Sequence, residues 1–250
     1  MQHKLTLILF LFLVAVGNVS AQDDPIFTDR PNVTDAIGLI SKGTFQVELG
    51  YFSNKIDAGT NNLTSKTIPN YSIKYGLSDK VELRILGTYL SIDNDMETIS
   101  GLSPITLSPK FALYEGLGAV PKTSLAINMT FPDLGKREFQ LSEFSYGFRG
   151  LFGYVFGKIS WDSSFGFDWI DGNNAVNAYS SALSYPLANR LGVFVEIYGS
   201  GRSDYLHGID AGMTYLVTNN LQIDFIIGKN LNSLVEYTDF GFGFAWKTGN

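Results

Sequence analysis

From Thr44 to Lys247 the chain returns again and again to strict alternation of apolar and polar residues, and that period of two constrains the fold more than anything else in it. Thr44–Ser53 sets Phe45, Val47, Leu49 and Tyr51 against Gln46, Glu48 and Gly50. Val81–Leu90 sets Leu83, Ile85 and Tyr89 against Glu82, Arg84 and Thr88. Ile159–Ile170 does the same with Trp161, Phe165, Phe167 and Trp169, Leu221–Lys229 with Leu221, Ile223, Phe225 and Ile227, and Tyr237–Lys247 with Phe240, Phe242, Phe244 and Trp246. A two-residue period puts alternate side chains on opposite faces of a strand. Seven more segments of this kind lie near Ile68–Tyr75, Pro104–Tyr114, Thr123–Phe131, Tyr146–Phe156, Asn177–Tyr185, Leu191–Gly199 and His207–Leu216. The chain is therefore expected to be all-β, with about twelve antiparallel strands.

Charge placement separates a soluble barrel or sandwich from a membrane one. Glu48, Lys74, Glu82, Arg84, Lys110, Arg149, Asp162, Asp168, Glu196, Asp210, Asp224 and Asp239 all fall on the polar faces, among Gly, Ser, Ala and Thr. The opposite faces carry the bulky apolar and aromatic side chains. Small polar residues suit the lumen of a transmembrane barrel, and large apolar ones suit lipid. Closure also leaves no unpaired edge in the hydrocarbon. The expectation is a transmembrane β-barrel over 44–250, with those twelve charged residues lining the lumen.

The joins fit this picture. Those after even strands are short, as in Gly76-Leu77-Ser78-Asp79-Lys80, Gly157-Lys158 and Thr218-Asn219-Asn220, apart from a longer one at 115–122. Those after odd strands are longer at 54–67, 91–103 and 132–145, the asymmetry of periplasmic turns and outer loops. Tyr51, Tyr75, Tyr89, Trp169, Tyr185, Tyr215 and Trp246 are placed to form interfacial girdles.

Ahead of the strands, 1–21 reads as a signal peptide. Lys4 precedes the apolar run Leu5–Gly17, and Val19-Ser20-Ala21 offers a small-residue cleavage site. The run is too short for a spanning helix, which needs about 20 residues. An exported chain with strands of this kind belongs in the outer membrane of a Gram-negative bacterium, with lipid and the barrel-assembly machinery as partners. A formal charge of -6 argues against nucleic acid. The absence of cysteine removes disulfides, thiolate metal sites and cysteine nucleophiles.

The segment Thr28-Asp29-Arg30-Pro31-Asn32-Val33-Thr34-Asp35-Ala36, followed by Gly43-Thr44-Phe45-Gln46-Val47-Glu48-Leu49-Gly50-Tyr51, resembles the opening of outer-membrane barrels of the phenol-degradation meta-pathway transporter family. The turn Tyr75-Gly76-Leu77-Ser78-Asp79-Lys80 and the ending Asp239-Phe240-Gly241-Phe242-Gly243-Phe244-Ala245-Trp246 are similar too, whereas the tail Lys247-Thr248-Gly249-Asn250 departs from the usual terminal aromatic. The resemblance implies passive uptake of small, hydrophobic or aromatic solutes. The alternative is a non-conducting barrel serving as a structural or adhesion protein through its loops.

Residues 22–43 are expected to fold into the lumen as a plug, with Asp29, Arg30 and Asp35 meeting wall charges such as Arg84, Arg149, Lys74 or Glu82; the other reading is a loose periplasmic tail. Basic wall residues gather in the first half of the chain and acidic ones in the second, meeting near Arg149 and Asp162. The wall charges serve either a diffusion path or internal ion pairs that fix the barrel.

No enzyme, cofactor or metal is expected. His207, alone after the signal peptide, lies on an outward face near Ser203 and Asp204, which is not a nucleophile, base and orienter in contact. Asp162 and Asp168 are about 20 Å apart along a strand, too far for one glycosidic bond. Asp93-Asn94-Asp95 with Glu97 reads as an acidic loop rather than a calcium site.

Overall fold

The computed structural model describes residues 25–57, 62–93, 96–203, 205–231 and 236–249. The expected signal peptide lies outside them, as do Asp204, Asn94 and Asp95. Twelve strands follow in order: β1 Phe45–Asp57, β2 Asn62–Ser78, β3 Val81–Asp93, β4 in three pieces (Thr98–Leu102, Ile105–Leu107, Lys110–Tyr114), β5 Lys122–Phe131, β6 Ser145–Phe156, β7 Ile159–Trp169, β8 Val176–Ala188, β9 Leu191–Gly201, β10 Leu206–Thr218, β11 Leu221–Asn230 and β12 Glu236–Lys247.

Each strand pairs antiparallel with its neighbours in sequence, and β1 closes the ring on β12 from Gln46↔Lys247 to Asp57↔Glu236. The tail beyond Trp246 helps to close the ring. Lys247 is the last paired residue, and Thr248 donates its N–H to the Phe45 carbonyl at 2.8 Å. Pro104 and Pro109 break β4, because proline supplies no ladder N–H. The wall stays closed there, since Arg84 and Ser108 exchange backbone bonds of 3.1 and 2.8 Å.

Burial is inside out. Gln46, Glu48, Glu82, Arg84, Lys110 and Glu196 are no more than 1% exposed, while Phe242, Ile197 and Phe165 are about half exposed. A water-soluble barrel would bury the second set and expose the first. An apolar exterior this continuous matches lipid. Phe131, Phe144, Tyr146, Phe148, Phe167 and Trp169 form one ring-to-ring run near the outer end, with Tyr146 stacked on Trp169 at 5.2 Å. Tyr75, Tyr185 and Tyr215 stand exposed toward the turn end.

Two outer loops are shorter than expected. The ladder of β1 with β2 runs on to Asp57↔Asn62, and that of β3 with β4 to Asp93↔Thr98, so 54–67 and 91–103 are mostly strand. Apart from Ile56, Leu63, Ile92, Ile99 and Leu102 the residues there are mostly polar, too sparse in apolar side chains for a clear alternation to be read. The loop at 132–145 is real and carries a short 3-10 turn, Arg137–Phe139. The longer turn at 115–122 holds a small Leu117↔Val120 bridge. Outward-facing charges stand at the outer ends of strands, as does Lys229, exposed on β11, where a long side chain reaches the interface.

Candidate functional site

The site is built where the segment before β1 meets the wall. Ile26 donates its N–H to Asn219 O at 2.7 Å in the turn between β10 and β11. The chain then rises to Pro31-Asn32-Val33 and returns to the Gly43–Gly76 backbone bond of 2.8 Å at the foot of β2. Between those points it bonds side chains of β1, β2, β3, β4, β5, β9 and β11. One short stretch can reach all of these only from inside the barrel.

Asp29 sits at the centre. Its Oδ2 lies 2.6 Å from Lys74 Nζ and 3.3 Å from Arg84 Nη1, and its Oδ1 lies 3.7 Å from Lys110 Nζ. The same Oδ1 accepts the Ala36 N–H at 3.0 Å and closes the loop on itself. Burial disfavours a charged Asp29, but Lys74, Lys110 and Arg84 outweigh it and hold the carboxyl far below the usual carboxylate range. Asp35 adds a 3.1 Å bridge to Arg84, and Glu48 a 2.5 Å bridge to Lys74. A buried cation without such partners would cost several kcal/mol.

Arg30 faces the other way, donating to Asp224 from Nη2 at 2.9 Å and from Nε at 3.3 Å. Its guanidinium lies over two glycines: a Cβ on Gly50 would stand 2.1 Å from Cζ, and one on Gly243 2.6 Å from Nη2 as well as 2.4 Å from the Leu49 carbonyl of β1. A Cβ on Gly153 would meet Ile37 at 2.7 Å, and one on Gly76 would meet the Ser41 carbonyl at 2.1 Å. These glycines are notches into which the segment fits.

Backbone N–H groups do the rest. Glu48 accepts from Asp29 and Arg30 at 3.3 and 3.1 Å. Glu82 accepts from Ile40 at 2.8 Å. Glu196 accepts from Val33 N at 2.8 Å, from Thr34 N at 2.5 Å, and from the Thr34 hydroxyl. Lys110 donates to the carbonyls of Ala36 and Gly38 at 2.5 and 2.7 Å.

Of the charged residues expected in the lumen, Glu48, Lys74, Glu82, Arg84, Lys110, Glu196 and Asp224 hold the segment. Arg149 does not; it pairs with Asp168 at 2.5 Å on the wall, so the basic and acidic sets meet at Asp168 rather than at Asp162. Asp162 lines cavities beneath the segment and accepts from the Ile37 backbone. Asp239 accepts from Tyr198 Oη at 3.0 Å and from Asn54 at 2.5 Å, and Asp210 stands across the ladder from Glu196. Asp224 as the partner of Arg30, and the notch glycines, were not foreseen. Glu82 holds backbone rather than Arg30. His207 bonds the Tyr179 hydroxyl at 2.6 Å and stacks on Tyr205 at 5.9 Å, away from the lumen. Among the described residues no three His, Cys, Asp or Glu side chains gather as metal ligands.

Among the described residues, four cavities flank the segment. Two lie toward the turns, about 270 and 370 Å³, with Phe27 in both linings; two lie toward the outer loops, about 350 and 310 Å³, with Val33 in both. The segment thus lies between the two pairs.

Solved structures share this fold. The COG4313 outer membrane channel from Pseudomonas putida F1 matches with a TM-score of 0.69 at 14% identity, covering 87% of this chain and 100% of that one. The KdgM porin in complex with disordered oligogalacturonate gives 0.54 at 10%, with 80% and 98% covered. The Ralstonia pickettii toluene transporter TbuX gives 0.51 at 9%, with 92% and 95% covered. No curated sequence matches the chain. A family match runs over residues 28–248, from the first residue of the Thr28-Asp29-Arg30-Pro31 stretch that enters the lumen to the Thr248 that closes the barrel, and the chain belongs to that family, described as "Putative MetA-pathway of phenol degradation".

Proposed function

We propose that this protein is an outer-membrane channel for passive uptake of small hydrophobic or aromatic compounds, with 22–43 acting as a hatch across its lumen. The observation that carries the reading is the charge match between segment and wall. The acidic Asp29 and Asp35 face the basic quarter of Lys74, Arg84 and Lys110, and the basic Arg30 faces Asp224. A wall built only to hold its own shape would pair its charges with one another, as Arg149 does with Asp168. Here most of them are spent on a separable segment, with cavities on both sides of it. The family description and the likeness to a toluene transporter support the solute class. Lipid surrounds the apolar exterior, and the assembly machinery inserts the barrel.

Single-channel conductance of the refolded barrel, with and without 22–43, tests this. The full chain should be mostly closed and the shortened chain open, and toluene should enter proteoliposomes faster through the latter. Silence from both would sink the channel reading and favour a structural barrel.

A further inference from the structure

Resting on that reading, we propose that solute crosses the barrel on one side only, along the wall of β7, β8 and β9, and that the gate is the clamp between Glu196 and the Val33–Thr34 turn. An inner cavity of about 270 Å³ and an outer one of about 310 Å³ share this wall. The inner one is lined by Ser160, Asp162, Ser184 and Phe194, and the outer one by Ser164, Ala178, Ser180 and Tyr198. On each strand the two linings are separated by at most one inward residue: Ala182 on β8, Glu196 on β9, and none between Asp162 and Ser164 on β7. On the segment side, Thr34 belongs to the inner cavity and Val33 to the outer. The partition there is one residue thick.

The two sides of the segment are held very differently. Toward β1, β2 and β3 the barrier is the network of Asp29, Asp35, Glu48, Lys74 and Arg84, in which every charge has at least one opposite partner. Toward β7, β8 and β9 the segment touches the wall through two carboxylates: Asp162, which accepts from the Ile37 backbone below, and Glu196, which accepts from two N–H groups and one hydroxyl where the two cavities meet. Ala182 beside it has no side chain able to reach across, and Ser164 and Ser180 bond each other at 2.7 Å rather than the segment. Charge-assisted bonds to a buried carboxylate are strong, but between these two cavities they are confined to Glu196. Loss of that contact would join the two cavities while the opposite network and the Asp162 bond to Ile37 keep the segment seated. Phe194 and Tyr198 flank Glu196 on the same inward face and lie over Gly212 and Gly208, so the rings stay flat on the wall and leave the passage clear.

The chain has no cysteine, so single cysteines can report the route without a background. Ala178→Cys and Ser184→Cys lie in the outer and inner cavities of this wall; Ser72→Cys and Thr88→Cys lie in the cavity against β2 and β3. Each full-length mature variant is placed in a planar bilayer and treated with a bulky charged methanethiosulfonate, in the Glu196→Gln background and in the wild-type one. Glu196→Gln alone should raise open probability severalfold, and the reagent should remove most of the current at 178 and 184 and little at 72 and 88. Equal block on both walls, block confined to 72 and 88, or an open probability unmoved by Glu196→Gln would each overturn the proposal. The chain lacking 22–43 separates the failures. If it conducts while the pattern above is absent, only this route is wrong; if it is silent, the channel reading and the route fall together.

Discussion

The guanidinium of Arg30 lies in the space that a Cβ on Gly50 would need, with Cζ only 2.1 Å from that position. Gly50 is thus part of a seat. Any side chain there pushes Arg30 off Asp224, and a buried carboxylate then loses its cation, a loss of about 3–5 kcal/mol. The outward faces of β1 and β12 are untouched by the change. Gly50→Ala should therefore leave the heat-modifiable migration of the barrel intact and raise open probability in a bilayer. An alanine at Gly150, in β6, is the contrast: its Cβ would meet nothing nearer than Phe152 at 3.5 Å, and the current should stay as in the wild type.

Asp29 binds three cations from three strands, so its removal should unseat the segment more than any other single change in it. Asp29→Ala leaves Lys74 with Glu48 and Arg84 with Asp35, but Lys110 keeps only the carbonyls of Ala36 and Gly38. The expected loss for the docked segment is about 3–5 kcal/mol, enough to make the open form common. A cycle of Asp29→Asn, Lys74→Gln and the double variant, read as open probability, should give a coupling energy of at least about 1 kcal/mol. Additive effects would mean that the 2.6 Å bridge contributes nothing to closure.

How much of this was legible in the sequence follows from what alternation can encode. Strand number, faces and the inward set of charges could be read because a lipid-facing wall tolerates few polar residues. The hairpin ends at 54–67 could not, because Ile56 and Leu63 are the only large apolar residues there and two of them make no readable period. Asp29 facing Lys74 and Arg84 followed from charge sign and from the polar stretch ahead of β1. Arg30 with Asp224 did not, since 194 positions separate them and nothing local marks the pair. Gly50 and Gly243 alternate with aromatics as any barrel glycine does, and only the docked guanidinium distinguishes them. Glu196 looked like one more acidic wall residue, because its partners are backbone N–H groups, which every residue but proline owns.

On account of Asp29, acid should open the channel only at low pH. The folded Asp29 carboxyl is held far below its ordinary value, so its contribution to docking is complete above the unfolded value of about 3.9 and is lost as pH falls toward the folded one. Open probability should not change on account of Asp29 between pH 5 and 8, roughly the range well above that unfolded value. Asp29→Asn should remove whatever acid-induced opening is seen below about pH 4. A transition that persists unchanged in Asp29→Asn would assign the acid response to another group.

The segment makes no ladder, yet its amides should exchange slowly. Ala36, Thr34 and Ile40 each donate to a carboxylate, of Asp29, Glu196 and Glu82 respectively, at 3.0, 2.5 and 2.8 Å. Thr34 is 2% exposed and Ile40 6%. Protection then depends on opening of the docked segment rather than on unfolding of the wall. In native-state hydrogen exchange these amides should be protected together, with one common opening rate, while Lys42 at the exposed base exchanges fast. Glu82→Gln should speed Ile40 most, because only its own acceptor is weakened, and Asp29→Ala should speed all three, because the loop loses its centre. Fast exchange of Thr34 and Ile40 in the wild type would place the segment outside the lumen for most of the time, and the closed state would then need another cause.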